Sequence, residues 1–571
     1  MRTRLRKLLL ALLFALALPA GAEVNFDDLS DEEKLGQTLV MFVDIDSAEQ
    51  VRPLIEQGKV GGLLIQWGNY SLAQTKQLVE KVQNWALQSP HKIPLLIAID
   101  YEGGTVHTPI TLGFDYLPTN MMLSAADDED ATAAVAYLAG RELRRAGVHI
   151  NFSPVLDVNS NPHNPIIGVR SFGSDPEQVS RMGIAMIDGF KAAGIISVVK
   201  HYPGHGDTQT DSHFEVPVVK ADDAELRKIH LAPFARAIEA GADGVMTGHI
   251  LYPAWDDKNI STFSKKILHD ILRDELGFKG LVVTDGLDMR SATAFCTIAG
   301  CAVKSFEAGA DMILLGRYVK PKLTFDRIFA QITAQNMQER VNESARKIFE
   351  LKKEIGLLDG PLPHVEPIEK AFQEQLQQLS REAVTLVRAR EGLLPLHGTN
   401  PRPRVCAVFF APARFADQLS YFTQPFLQKG WQADAYNAPL IPKARDISRA
   451  AACAKGADAV VVAGLQWADK ANRSQKQAVA TLLKQHPDLI FISTMSPYDI
   501  VNYPEVKTIL ATYGLNRFAL RTAADILLGN IEARGKLPLD INALKAPAKA
   551  ATSASAAPQQ THTPPATPKA Q

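Results

Sequence analysis

The sequence predicts a (β/α)8 barrel of the TIM type followed by a smaller α/β/α sandwich domain. Eight short apolar runs recur through the first part of the chain with helical segments between most of them, and continuous apolar runs are how parallel strands buried on both faces read. Asp100, Asp157, Lys200, His249 and Asp285 each stand at or near the C-terminal end of a different run. A barrel gathers such ends on one face, whereas an open doubly wound sheet spreads them along an edge. Finally, prolines at positions 361, 363 and 367 break the pattern before new α/β units begin.

In chain order, residues 1–22 read as a signal peptide: Arg2, Arg4, Arg6 and Lys7 precede an eleven-residue apolar run at 8–18 and then Ala20-Gly21-Ala22. That run is shorter than the roughly 20 residues a spanning helix needs. A periplasmic or secreted mature protein starting near Glu23, without a membrane span, is therefore expected. The barrel is assigned to residues 23–357. Ser30 and Glu33 have capping-box spacing and open its first helix. Strands are expected over 38–43, 62–66, 94–99, 150–156, 196–199, 244–250, 281–284 and 311–315, with helices such as 131–146 and 222–240 between them and a long helical stretch over 325–354. Residues 358–370 are the linker. The sandwich domain takes 371–542, with strands at 405–410, 459–463, 489–493 and 508–511 and a helix at 474–485. Residues 543–571, rich in Ala, Pro, Thr, Ser and Gln, have almost nothing to bury and are expected to be a disordered tail.

The 571 residues include 61 basic and 62 acidic side chains. That balance offers no bulk charge for nucleic acid or an anionic membrane. Four cysteines are too few for a disulfide framework. Cys296 and Cys301 are close enough for one bridge, while Cys406 and Cys453, in apolar surroundings, are expected to sit reduced in a core.

The richest chemistry lies in VVKHYPGHGDTQTDSH, which places Lys200, His201, His205, Asp207, Asp211 and His213 on a Gly-Pro-punctuated loop directly after a strand. Turn residues account for part of that polarity. Three histidines, two aspartates and a lysine within fourteen positions, in a chain with fourteen histidines in all, exceed what a connector needs. Asp285 follows the apolar run LVVT, which would hold its carboxylate at a barrel mouth. A lone aspartate there could equally cap the next helix. Beside Asp211 and His213, however, it completes the set for cleaving a glycosidic bond with retention: a carboxylate nucleophile and a separate proton carrier.

The stretches IAIDYEGG, SPVLDVNSNPHNPIIGVRSFG, KHYPGHGDTQTDSH, VMTGHILYP and VVTDGLDM, with AVTLVRAREGLLPL and GNIEARGKLPLDI further on, closely resemble the β-N-acetylglucosaminidase branch of glycoside hydrolase family 3, in its two-domain exported form. The resemblance covers nearly everything from Ser30 to Asn542. It implies a retaining exo-β-N-acetylglucosaminidase, a β-N-acetylhexosaminidase, with Asp285 as nucleophile and Asp211 with His213 as the acid/base dyad. Asp100, Arg170, Lys200 and His201 would hold the sugar hydroxyls. It further implies a terminal β-GlcNAc substrate, above all cell-wall GlcNAc-MurNAc fragments, and a place in peptidoglycan turnover. A histidine is a sensible proton carrier because its ordinary pKa near 6.5 lies close to working pH. Glycoside hydrolase family 3 β-glucosidases usually take this group from a glutamate elsewhere. Departures from the family pattern are Thr105, where an arginine is common, Gly286, where a second acid is frequent, and the wording GGLLIQWGNY.

Rival readings are a family 3 β-glucosidase or β-xylosidase, an inactive carbohydrate-binding scaffold, and a metal-dependent hydrolase. The last lacks a short ligand interval such as H-E-x-x-H, so neither metal nor cofactor is expected. Transfer to phosphate in place of water is also open, since a histidine does not repel an incoming anion.

Overall fold

The computed structural model describes residues 24–541 except 67, 69, 105–112, 361–365, 367 and 467–471. The expected signal segment 1–22, the tail 543–571, much of the linker, and Thr105 therefore lie outside the described residues.

Eight strands, β1 (Leu39–Val43), β2 (Gly62–Ile65), β3 (Leu96–Ile99), β4 (Ile150–Asn151), β5 (Ile196–Tyr202), β6 (Gly244–Thr247), β7 (Leu281–Thr284) and β8 (Ile313–Leu315), form one sheet in the order β7-β6-β5-β4-β3-β2-β1-β8. Every ladder in it is parallel. A parallel bridge between Val283 and Met312 joins the two ends and closes the barrel. Val40, Leu64, Leu96, Ile150, Phe152, Val198, Met246, Val283 and Leu314 form one buried cluster with Ile348, so the interior is packed with side chains and is no channel. Other strand residues, such as Met41, Leu63, Ile97 and Val245, pack against the surrounding helices.

Several elements differ from the sequence reading. The fourth strand is expected over 150–156, but its ladder covers Ile150–Asn151, with Val155 making an isolated bridge to Lys200; Pro154 has no N–H to give a ladder. The helical stretch over 325–354 is two helices, Pro321–Ala334 and Gln338–Glu354, parted at Asn336, which adopts a left-handed φ of 55° that asparagine tolerates better than most residues. The helix over 222–240 contains a π-helical stretch, Leu226–Leu231. Ser30 and Glu33 do form the capping box.

The second sheet contains β9 (Thr385–Arg388), β10 (Arg404–Phe410), β11 (Gln432–Ala438), β12 (Ala459–Gly464), β13 (Ile490–Ser493) and β14 (Thr508–Ala511), ordered β11-β10-β12-β13-β14-β9. β9 alone runs antiparallel to its neighbour. Helices Leu419–Gln428 and Arg517–Leu527 cover one face and Ala444–Ala454 and Arg473–Gln485 the other, each over its own apolar cluster. Met121, Met122 and Val169 of the barrel chain join the first of these clusters, so the two units share a continuous apolar contact. At its edge the Gly173 Cα lies against Pro538, whose carbonyl would be 2.3 Å from any added Cβ.

Cys296 and Cys301 form the expected bridge. Cys406 and Cys453, expected to be reduced, are also joined. The helix carrying Cys453 packs across β10, bringing the two Cα atoms to 5.8 Å, within disulfide range. Apolar surroundings suit a buried bridge as well as a buried thiol. Among the described residues no helix is long and apolar enough to cross a membrane.

Candidate active site at the barrel mouth

Each strand end delivers its polar residue to the same face. Asp100, Tyr101 and Glu102 follow β3, Lys200 and His201 lie in the last turns of β5, His249 follows β6, and Asp285 follows β7. Asp100 and Glu102 both meet the Lys200 ammonium, at 2.5 and 2.6 Å. Glu102 also receives Arg170 through Nε at 2.7 Å and Nη2 at 3.0 Å. Two carboxylates and two cations thus balance in a buried cluster. Both carboxylates hold the Lys200 ammonium charged despite burial, which pulls the other way.

His201 is fixed between that cluster's Arg170 and Asp157. Its Nδ1 lies 2.7 Å from Asp157 Oδ2, and its Nε2 lies 3.3 Å from Arg170 Nη2. Asp157 also accepts the backbone N–H groups of His201 and His205. Burial would raise its pKa, and these partners bring it below the ordinary value.

Asp285 carries the central charge. Burial opposes ionisation, but the imidazoles of His249, His201 and His213 and the Gly286 N–H bring its pKa down to about 2. The Gly286 N–H donates to Oδ1 at 2.7 Å, and the same residue's carbonyl accepts from His249 Nε2 at 3.1 Å. His249 therefore holds the residue whose N–H holds the carboxylate.

The loop after β5 brings a histidine–aspartate pair to the mouth. Asp211 Oδ1 accepts from His213 Nδ1 at 2.7 Å and from the His213 backbone N–H at 2.8 Å. This hydrogen bond raises the His213 pKa against partial burial, with the Asp285 charge adding to it. The loop is braced from within: His205 Nδ1 lies 2.7 Å from Thr208 Oγ1 and its Nε2 3.2 Å from Ser212 Oγ. Asn164 Nδ2 donates to the carbonyls of His205 and Gly206. Gly206 passes so close to the Val158 carbonyl that a Cβ would sit 1.6 Å from it. The middle of the loop is architecture, and its histidines turn to separate partners.

All seven residues singled out in the sequence are thus gathered at one mouth. Sequence reasoning left out Glu102, and it gave Asp157 and His249 no role beyond their strand ends. The signal for Glu102 is its two-residue spacing from Asp100. An ionised carboxylate, an imidazole braced by an aspartate, and a balanced cluster of hydrogen-bonding groups can together perform double displacement at an acetal carbon.

Fold and site define a barrel protein equipped for acid–base chemistry around a buried carboxylate. The chain belongs to glycosyl hydrolase family 3: the family's N-terminal domain is matched over residues 31–351 and its C-terminal domain over 306–566. Beta-hexosaminidase A of Pseudoalteromonas piscicida is 30% identical over 547 residues, spanning 86% of this chain and 91% of the relative. A beta-N-acetylglucosaminidase/beta-glucosidase of Cellulomonas fimi is 27% identical over 558 residues, 91% of this chain and 95% of the relative. The solved structure of a family 3 beta-N-acetylglucosaminidase from Paenibacillus sp. str. FPU-7 matches with a TM-score of 0.82 at 32% identity, covering 90% of this chain and 99% of that one.

Proposed function

We propose that the protein is a retaining exo-β-N-acetylglucosaminidase that removes terminal β-GlcNAc. The observation that carries this reading is the buried Asp285 carboxylate, held ionised, within electrostatic reach of the hydrogen-bonded His213–Asp211 pair. In the first step Asp285 attacks the anomeric carbon while protonated His213 gives its Nε2 proton to the glycosidic oxygen. The leaving group departs as a neutral alcohol and a covalent glycosyl-enzyme remains. In the second step neutral His213 takes a proton from water, which attacks the same carbon, and Asp285 is released as carboxylate. Asp211 orients the ring throughout and supports its cation. Asp100, Lys200, Arg170 and His201 bind the hydroxyls of the terminal sugar, with Glu102 holding the two cations in place. The named activities of the Pseudoalteromonas and Paenibacillus relatives support the same reaction here.

The leader-like segment at 1–22 supports export to a periplasm or the exterior, and hence GlcNAc-MurNAc fragments of peptidoglycan as the substrate and peptidoglycan turnover as the setting. Assay of aryl β-GlcNAc against aryl β-glucoside tests the sugar, and product analysis on purified muropeptides tests the glycan. Preference for β-GlcNAc and release of free GlcNAc are expected; a strong preference for glucoside would overturn the reading. A β-glucosidase is the second reading because the Cellulomonas relative is named for both activities.

A further inference from the structure

Of the aromatic side chains among the described residues, two stand exposed, Phe214 at 67% and Tyr318 at 85%. Both are at the barrel mouth. Exposed aromatic rings lose the burial that normally accounts for their presence, and when they rim a pocket they mark a surface that something covers.

The backbone at or beside each of these residues is tied to the segment that begins with Asp285. Tyr318 follows β8, and its N–H donates to Asp288 Oδ2 at 3.2 Å. Asp288 in turn packs against Gly316, where an added Cβ would come within 2.0 Å of its carboxylate. On the other side, the Ser291 N–H donates to the Ser212 carbonyl at 3.3 Å, fixing the loop two residues before Phe214. The Phe214 ring lies 6.5 Å from that of His213. The cluster of Asp100, Glu102, Arg170 and Lys200 is buried, whereas these rings stand at the outer edge.

Position decides which part of a substrate they meet. The proton donor must reach the glycosidic oxygen, so the residue next to it borders the leaving group and not the sugar held in the buried cluster. The axial C–H groups of a pyranose make one face of the ring apolar, and that face covers an aromatic ring while the hydroxyls around its edge stay in water. We propose that Phe214 and Tyr318 form an aromatic platform for the sugar that leaves, so that the enzyme selects β-GlcNAc linked to another sugar over β-GlcNAc linked to a small alcohol. This rests on the reaction proposed above.

The test compares kcat/KM for N,N'-diacetylchitobiose and for methyl β-GlcNAc in the wild type, Phe214→Ala, Tyr318→Ala and Tyr318→Trp. Each alanine variant is expected to lose about threefold to tenfold on the disaccharide, the range of one aromatic contact, and to stay within about twofold on the methyl glycoside, which has no second ring to stack. Tyr318→Trp is expected to restore the disaccharide rate. Equal losses on both substrates, or none on the disaccharide, would overturn the platform while leaving the β-GlcNAc reading intact. A wild type that turns over neither substrate would overturn that reading, and the platform with it.

Discussion

Glu102 accepts both Nε and Nη2 of Arg170, at 2.7 and 3.0 Å, and takes Lys200 on the same carboxylate at 2.6 Å, with only 1% of its side chain exposed. One buried anion therefore sets the position of two cations at the barrel mouth. Its removal leaves those cations buried with Asp100 as their remaining carboxylate. Glu102→Gln is expected to lower the unfolding free energy by roughly 3 to 5 kcal/mol, the usual cost of breaking a buried ion pair from one side, and to raise KM. Denaturant titration and initial rates check both; a variant with wild-type stability and KM would deny Glu102 this part.

The pH profile follows from the His213–Asp211 pair. In the proposed reaction glycosylation needs protonated His213, so kcat/KM is expected to decline as pH rises through its pKa. Asp211 raises that pKa, so Asp211→Asn must move the alkaline limb of kcat/KM to lower pH. His213→Ala, which removes the proton carrier, is expected to cost about 10²- to 10⁴-fold in kcat for a poor leaving group. An unmoved limb in Asp211→Asn would assign the proton to another group.

The strand ends were legible because Asp100 and Asp285 each close an uninterrupted apolar run, and Asp211 and His213 because so many titratable groups share one short loop. Glu102 was hidden by the Gly-Gly turn that follows it, which makes it read as loop polarity. β11, with the sequence QADAYNA, is half exposed at the sheet edge and lacks the apolar run that announced its neighbours. β9 is short and antiparallel. The break at Asn336 carries neither Gly nor Pro. Pairing of Cys406 with Cys453 depends on a helix crossing a strand 47 residues away, a tertiary fact with no local pattern.

That second disulfide closes a far longer loop than the first. With separations of 47 and 5 residues, loop-closure entropy gives about 4 kcal/mol for Cys406–Cys453 and about 2 for Cys296–Cys301. The double alanine variant of the longer pair is expected to lose more stability in denaturant than that of the shorter pair. The opposite ranking would show that entropy of the unfolded chain does not govern these bridges.

Lys352 is fully buried, donating from Nζ to Gln37 Oε1 and the Pro94 carbonyl, both at 2.7 Å. Burial lowers its pKa to about 7, whereas an unfolded lysine titrates near 10.4. Between those values the unfolded chain holds more protons, so this residue makes stability rise with pH, by up to about 1.4 kcal/mol per unit. The stability difference between wild type and Lys352→Met is expected to shift in favour of the wild type from pH 7 to 9. A pH-independent difference would show that Lys352 stays charged when folded.

The central claim, that Asp285 is the nucleophile of a retaining reaction, is tested most directly by mass spectrometry of enzyme quenched during turnover of a slow 5-fluoro β-GlcNAc substrate. The expected result is one covalent glycosyl group on the peptide containing Asp285, absent from Asp285→Asn, with the product of the normal substrate keeping the β configuration. An adduct on a different carboxylate, or no adduct together with inverted product, would contradict it.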